Sequence, residues 1–258
     1  MDVGQDDGSF SQIVDALKSA AWIGQVPFVY WIHDRLMPYI GNHLGITNRH
    51  GALRNFAIRE IAARQDRGSD HKDMLSMFHA TQKEKPLDMD DNAVASMATS
   101  NIMAGSDTTA ISTRAIIYYL LKNPAVKQKL MDEIDEFRKV GKISSTVTLS
   151  EADEMPYLQA CMMEALRLHP AVGMSLPRTT PEGGATVAGQ YLPSGTVIGA
   201  NPWVLHRNQE VFGEEVETFK PERWMRDEKT VAEMRRFFFA FGAGARMCIG
   251  RNISWMEM

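Results

Sequence analysis

The chain has 258 residues, 44% hydrophobic and 23% charged, with a formal net charge of −4, the balance of a packed globular protein and not of a disordered or fibrous one. That charge provides no general basic field for phosphates or anionic lipid, which argues against nucleic acid as a partner. Only two cysteines occur, Cys161 and Cys248, far apart and in different contexts, so no disulfide framework is expected and each must be read on its own. The most apolar early stretch, Ala20 to Ile32, is too short for a bilayer and contains Gln25 and Pro27. Residues 1–9 are acidic and lack the basic-then-apolar order of a signal peptide. No targeting or transmembrane segment is expected in this chain.

From Ser9 to about Ala80, apolar residues recur at three and four residue spacings, with breaks at Pro27, Pro38, Gly41, Gly45 and Gly68-Ser69. This predicts several successive helices. The Asp88 to Asp91 cluster suits a helix N-terminus, and a long helix is predicted from there to Lys122, stopped by Asn123-Pro124. Further helices are expected from Pro124 to about Lys139 and from about Pro156 to Leu168, separated by a polar loop from Gly141 to Ser150 and ended by His169-Pro170. Between Ser175 and Ile198, short β-branched runs separated by Pro181, Gly183-Gly184, Gly189 and Pro193-Ser194-Gly195 predict one small sheet with tight turns. Asn208 to Gly250 reads as mostly irregular, before a last helix from near Gly250 to Met258. The fold class is mainly α with a small β region, and no repeat, low-complexity tract or linker interrupts it.

The most informative segment is Phe241-Gly242-Ala243-Gly244-Ala245-Arg246-Met247-Cys248-Ile249-Gly250, a glycine-studded loop with one cysteine just before a helix. Glycines allow close backbone approach to a flat macrocycle, a helix N-terminus and backbone N–H groups stabilise a thiolate, and Arg246 can pair with a carboxylate. An arbitrary cysteine in a loop is more often a small core residue. A dinucleotide-binding glycine loop is a poorer fit, because Met247 holds the third glycine position and no strand with an acidic partner frames it. In the long helix, Ala104-Gly105-Ser106-Asp107-Thr108-Thr109 combines a weak helix former with hydroxyls able to bond carbonyls one turn back. A groove opening there would place Asp107 and Thr108 to relay protons, although a small-residue packing face is the plainer alternative. Glu164 and Arg167 are spaced i,i+3 and share a helix face.

The cysteine segment matches, without departure, the Phe-Gly-x-Gly-x-Arg-x-Cys-x-Gly signature of the cytochrome P450 family. Other matches follow in family order: Ala104 to Thr109 is similar to the oxygen-activating motif of the central helix, Glu164-Ala165-Leu166-Arg167 to Glu-x-x-Arg, and Pro221-Glu222-Arg223-Trp224 to the Pro-Glu-Arg-aromatic segment. The chain therefore resembles the C-terminal, incomplete portion of the P450 fold over residues 1–258, with a less diagnostic helical segment over 1–85 and the motifs over 86–258. Within the family it looks most like filamentous-fungal members of the pisatin demethylase type.

The resemblance implies haem as cofactor, with Cys248 as axial thiolate and Phe241, Gly242, Arg246 and Gly250 supporting it; Arg178 and Arg246 are the arginines expected at the haem propionates. A thiolate on haem iron favours O–O cleavage. Asp107 and Thr108 are the expected catalytic pair, while Glu164, Arg167 and Arg223 are expected to form a buried structural network. Residues 171–176, including Met174, resemble the segment that crosses beside the haem; His206 and Cys161 are left as core or surface residues.

The implied function is a monooxygenase of secondary metabolism that inserts one atom of O2 into an apolar organic substrate, with electrons from NADPH through NADPH-cytochrome P450 reductase. Full-length relatives are expected on the cytoplasmic side of the endoplasmic reticulum membrane. A haem-thiolate isomerase or dehydratase acting on peroxides is the alternative enzyme, and Asp107-Thr108 argues against it because that chemistry needs no proton relay to dioxygen. A truncated, non-catalytic remnant is the other alternative, since family members are roughly twice as long and the chain ends inside the helix after Cys248. Residues 1–258 alone are accordingly not expected to form an active monooxygenase.

Overall fold

A computed structural model describes residues 27–40, 47–68 and 72–258. The helical expectation for residues 9–26, and the breaks at Gly41 and Gly45, lie outside the described residues. The chain divides into two compact units, Met1–Ala104 and Gly105–Met258, and each is described by itself.

The first unit contains helices α1 (Pro27–Ile40), α2 (Thr47–Arg67), α3 (Met74–Glu84) and the opening turns of α4 (Asp91–Lys122). Pro38 does not break α1 as expected: one backbone donor lost two residues from the end leaves the final turn in place. Gly68 does mark a stop, adopting φ 65° just after α2. Asp73 caps α3 by accepting the Ser76 amide at 2.9 Å and holds Arg64 of α2 at 2.8 Å. The long helix starts at Asp91, within the Asp88 to Asp91 cluster, and Asp90 caps it by accepting the Ala93 amide at 2.7 Å. Ala57, Met89, Val94 and Ala95 are buried.

The second unit is organised around α7 (Pro156–Leu168), which follows the rest of α4, α5 (Pro124–Lys139) and α6 (Leu149–Asp153). Tyr157, Ala160, Cys161, Met162 and residues 164–168 of α7 are all buried, so the helix is a core element on every side and lacks a solvent stripe. One face packs with Ile116, Leu130 and Phe219, another with Phe212, Val216, Trp224, Val231 and Met234. Glu133 of α5 fixes the start of α7 by accepting the amides of Tyr157 and Leu158 at 2.8 and 2.9 Å, a carboxylate on a helix N-terminus whose first position is Pro156.

Three expectations need correction. The polar loop 141–150 gives way to α6 at Leu149, nucleated by a capping box in which Thr148 and Glu151 exchange side-chain and backbone hydrogen bonds. The single small sheet is two separate antiparallel pairs: β1 (Leu176–Thr179) with β4 (Val197–Ala200), and β2 (Ala185–Val187) with β3 (Gln190–Leu192). The β2–β3 turn consists of Ala188 and Gly189, with φ 51° and 78°, the two positive angles of a tight hairpin. Finally, the stretch 208–250 is less irregular than expected. After the short helix α8 (Pro202–Leu205), it contains α9 (Gln209–Phe212), a 3-10 turn at Pro221–Met225, and α10 (Glu228–Arg236) capped by Asp227. A second 3-10 turn, Gly244–Arg246, precedes α11 (Arg251–Glu257). Among the described residues no helix is long and apolar enough to cross a membrane.

Candidate active site

The loop between α10 and α11 is held in shape by its own backbone. The Gly242 amide donates to the Phe239 carbonyl at 2.9 Å, the Cys248 amide to the Phe241 carbonyl at 2.9 Å, and the Met247 amide to the Gly244 carbonyl at 3.1 Å. Gly242 and Gly244 both sit at φ 70°, where a side chain is strained, so these two positions require glycine for conformation. Gly250 opens α11, and a Cβ there would stand 3.8 Å from Cys248 Sγ. The outcome is an exposed, free thiol at Cys248. The other cysteine is its opposite: Cys161 is fully buried, and burial, reinforced by Glu133, Glu222 and Glu164, pushes its thiol up to about 12.

Cys248 lines a cavity of about 240 Å³. The loop contributes Phe239, Ala240, Phe241, Gly242 and Arg246; α4 contributes Thr108, Thr109 and Ser112; the crossing segment and β1 contribute Ala171, Val172, Leu176 and Arg178; and Leu166, Ser254 and Met258 complete the wall. Most of these groups are apolar. Arg178 and Arg246 both line this cavity, and Arg178 also lines an adjoining recess formed with Val187, Ile198 and Ala243. Phe241 is steadied by Trp255 in an edge contact at 6.3 Å, and Trp255 in turn donates to Gln159 of α7 at 3.0 Å.

In α4, Thr108, Thr109 and Ser112 line the cavity while Asp107 sits half-buried beside them. The helix is continuous through this stretch. Of the hydroxyls expected to bond one turn back, Thr109 instead donates to the Ser254 hydroxyl at 3.2 Å. Further along the helix, Ser112 donates to the Thr108 carbonyl at 2.8 Å and Thr113 to the Thr109 carbonyl at 3.0 Å. Gly105 is exposed, with open space where a Cβ would stand.

Glu164, Arg167 and Arg223 form one buried cluster. Arg167 grips Glu164 with two parallel bonds of 2.9 and 2.8 Å, and Arg223 adds a third at 3.3 Å. The side chains of Glu164 and Arg167 have no exposed surface, which makes mutual pairing essential. Sequence reasoning assigned no role to Trp224 and His206, both of which join this cluster. Trp224 donates its indole N–H to Glu164 at 2.9 Å. His206 bridges the Arg167 carbonyl and the Phe239 amide at 2.9 and 2.8 Å. The aromatic after Pro221-Glu222-Arg223 was a signal for the first; nothing in the sequence marked the second.

The sequence matches the family model for Cytochrome P450 over residues 2–258, and the chain belongs to that family. It is 38% identical over 255 residues to the cytochrome P450 monooxygenase hepC of Aspergillus oryzae, covering 99% of this chain and 50% of that protein. It is 42% identical over 247 residues to the cytochrome P450 monooxygenase cicH of Emericella nidulans, covering 93% and 48% respectively. The resemblance to pisatin demethylase is borne out by the protein of that name from Fusarium vanettenii, 46% identical over 158 residues, 61% of this chain and 30% of that protein. The chain thus spans about half the length of the first two relatives.

Proposed function

We propose that the chain provides the thiolate side of a haem-dependent monooxygenase that transfers one atom of O2 to an apolar organic substrate, with electrons from NADPH delivered by a separate reductase. The observation that carries this reading is the placing of one exposed thiol, Cys248, on an apolar cavity shared with Thr108, Arg178 and Arg246.

The residues present fit a haem. Cys248 offers the one sulfur ligand that such an iron would take from the protein. The apolar wall suits its faces, and Arg178 and Arg246 suit its two carboxylates. When bound, haem iron supplies the activation of dioxygen and its reductive cleavage. The protein's own contribution is to hold and deliver. The positive-φ glycines and the Cys248 amide bond fix the thiol, and the Thr109–Ser254 bond ties α4 to α11 on the cavity wall. Thr108 lines that wall with half-buried Asp107 next to it, and the pair would carry a proton inward from solvent.

The test is turnover under labelled dioxygen, using the longest natural form of the protein that carries residues 1–258, with haem, NADPH, a P450 reductase and a panel of apolar substrates. One labelled oxygen per product molecule, dependent on NADPH, is expected. Conversion of organic peroxides without NADPH, and no labelled product with it, would instead indicate an isomerase or dehydratase.

A further inference from the structure

One buried side chain touches both the charge cluster of α7 and the start of the cysteine loop. His206 follows α8 and has 0% of its surface exposed. Its Nδ1 lies 2.9 Å from the carbonyl oxygen of Arg167, and its Nε2 lies 2.8 Å from the backbone nitrogen of Phe239. A backbone amide only donates, so Nε2 carries the lone pair and the ring proton resides on Nδ1, where it is donated to Arg167. That carbonyl is one of the four at the end of α7 without a helical partner. Arg167 reciprocates by donating its guanidinium to the carbonyl of His206 at 2.8 Å. The ring orientation is further fixed by stacking on Phe238 at 5.3 Å and 10° and by an edge contact with Phe212 at 6.1 Å.

Beyond Phe239 the bonds continue into the loop: the Phe239 carbonyl accepts from Gly242, and the Phe241 carbonyl accepts from Cys248. Phe239 also lines the cavity that holds Cys248. We propose that His206 is a positioning residue for Cys248, a single-tautomer imidazole that clamps the entry of the cysteine loop to the end of α7. Burial and the nearby Arg167 and Arg207 hold the ring well below its ordinary value, at about 4, against the opposing pull of the Arg167 carbonyl and Glu164. Both bonds therefore persist in the single-proton form at neutral pH.

The two arms can be separated. Asparagine places its amide N–H₂ near the Nδ1 position and keeps the bond to Arg167, whereas glutamine reaches the Nε2 position with its carbonyl and keeps the bond to Phe239. The proposal depends on the haem reading only through Cys248 ligation, so the experiment has two arms, both on the longest natural form of the protein. In the haem-free protein, amide hydrogen exchange at Phe239 should be near wild type in His206→Gln and about tenfold faster in His206→Asn, the effect of losing one buried hydrogen bond. In the haem-loaded protein, the thiolate band of the reduced carbon-monoxide spectrum should be retained in His206→Gln. In His206→Asn it should fall to about half or less in favour of the thiol-ligated form, even when thermal unfolding of the two variants is the same. Equal exchange at Phe239 in the two variants, or equal thiolate fractions despite different exchange, would overturn the proposal. A wild type without a thiolate band would remove the ligand reading of Cys248 and with it the positioning role, while the exchange contrast would still decide whether the clamp exists.

Discussion

Trp224 donates its indole N–H to Oε2 of Glu164 at 2.9 Å, adding a neutral donor to a carboxylate that also receives Arg167 twice, Arg223, and the backbone amide of Lys220. Both oxygens of this fully buried carboxylate are therefore engaged. Replacing Glu164 by Gln leaves two buried guanidinium groups without their counter-charge and turns an amide N–H₂ toward existing donors. A loss of about 3 to 5 kcal/mol in unfolding free energy is expected. Trp224→Phe removes one hydrogen bond to a charged group and should cost about 1.5 to 3 kcal/mol. Urea denaturation of the two variants checks the ranking, and a Glu164→Gln loss smaller than that of Trp224→Phe would contradict it.

The depressed titration of His206, about 4 against 6.5 unperturbed, gives stability a defined pH dependence. Between those values the unfolded chain takes up a proton that the folded protein refuses, so stability falls as pH falls. The contribution is complete above about pH 6.5 and gone below about 4, with a span of about 3 kcal/mol. Comparing urea unfolding of wild type and His206→Gln at pH 7 and pH 5 isolates it, because carboxylates that also titrate in this range are common to both proteins. The wild type should lose about 2 kcal/mol more than the variant between these pH values. Parallel losses would show that His206 does not titrate as the structure requires.

Two glycines should respond to alanine with opposite signs. Gly242 sits at φ 70°, so Gly242→Ala should destabilise by about 1 to 2 kcal/mol. Gly105 lies inside α4 with open space at its Cβ position, so Gly105→Ala should stabilise by about 0.5 to 1 kcal/mol. Chemical denaturation of both variants distinguishes glycine kept for conformation from glycine that the fold does not need there.

The long elements of the second unit were legible because their ends carry strong local signals. Asn123-Pro124 separates α4 from α5, and Pro156 and His169-Pro170 bracket α7, all within one residue of the observed bounds. The short elements were harder: α6 rests on Thr148 and Glu151 and α10 on an Asp227 cap, signals of two residues each within polar stretches. Strand pairing could not be read at all, since four strands of three or four residues can pair in more than one way and only the contacts decide. The P450 resemblance named Cys248, Thr108, Arg178 and Arg246, which share one cavity in the structure. His206 escaped because its role is made by residues 39 and 33 positions away in the chain, and periodicity does not register such distances.

Asp107 and Thr108 should govern how efficiently electrons are used and not whether haem binds, since Thr108 lines the cavity and Asp107 sits beside it. Replacing either by Ala should raise hydrogen peroxide released per NADPH consumed severalfold, on the order of the loss of one positioned proton donor, while haem content stays close to wild type. Stoichiometric assays of NADPH, peroxide and product check this. Unchanged stoichiometry in both variants would remove the proton-delivery role.

If Cys248 ligates the iron, the reduced carbon-monoxide spectrum reports it. It should be recorded for wild type, Cys248→Ser and Cys161→Ser in the longest natural form of the protein. Because Cys248 is exposed on the cavity and Cys161 is buried in the core, the thiolate band should disappear in Cys248→Ser and persist in Cys161→Ser. A thiolate band that survives unchanged in Cys248→Ser would mean that Cys248 is not the ligand.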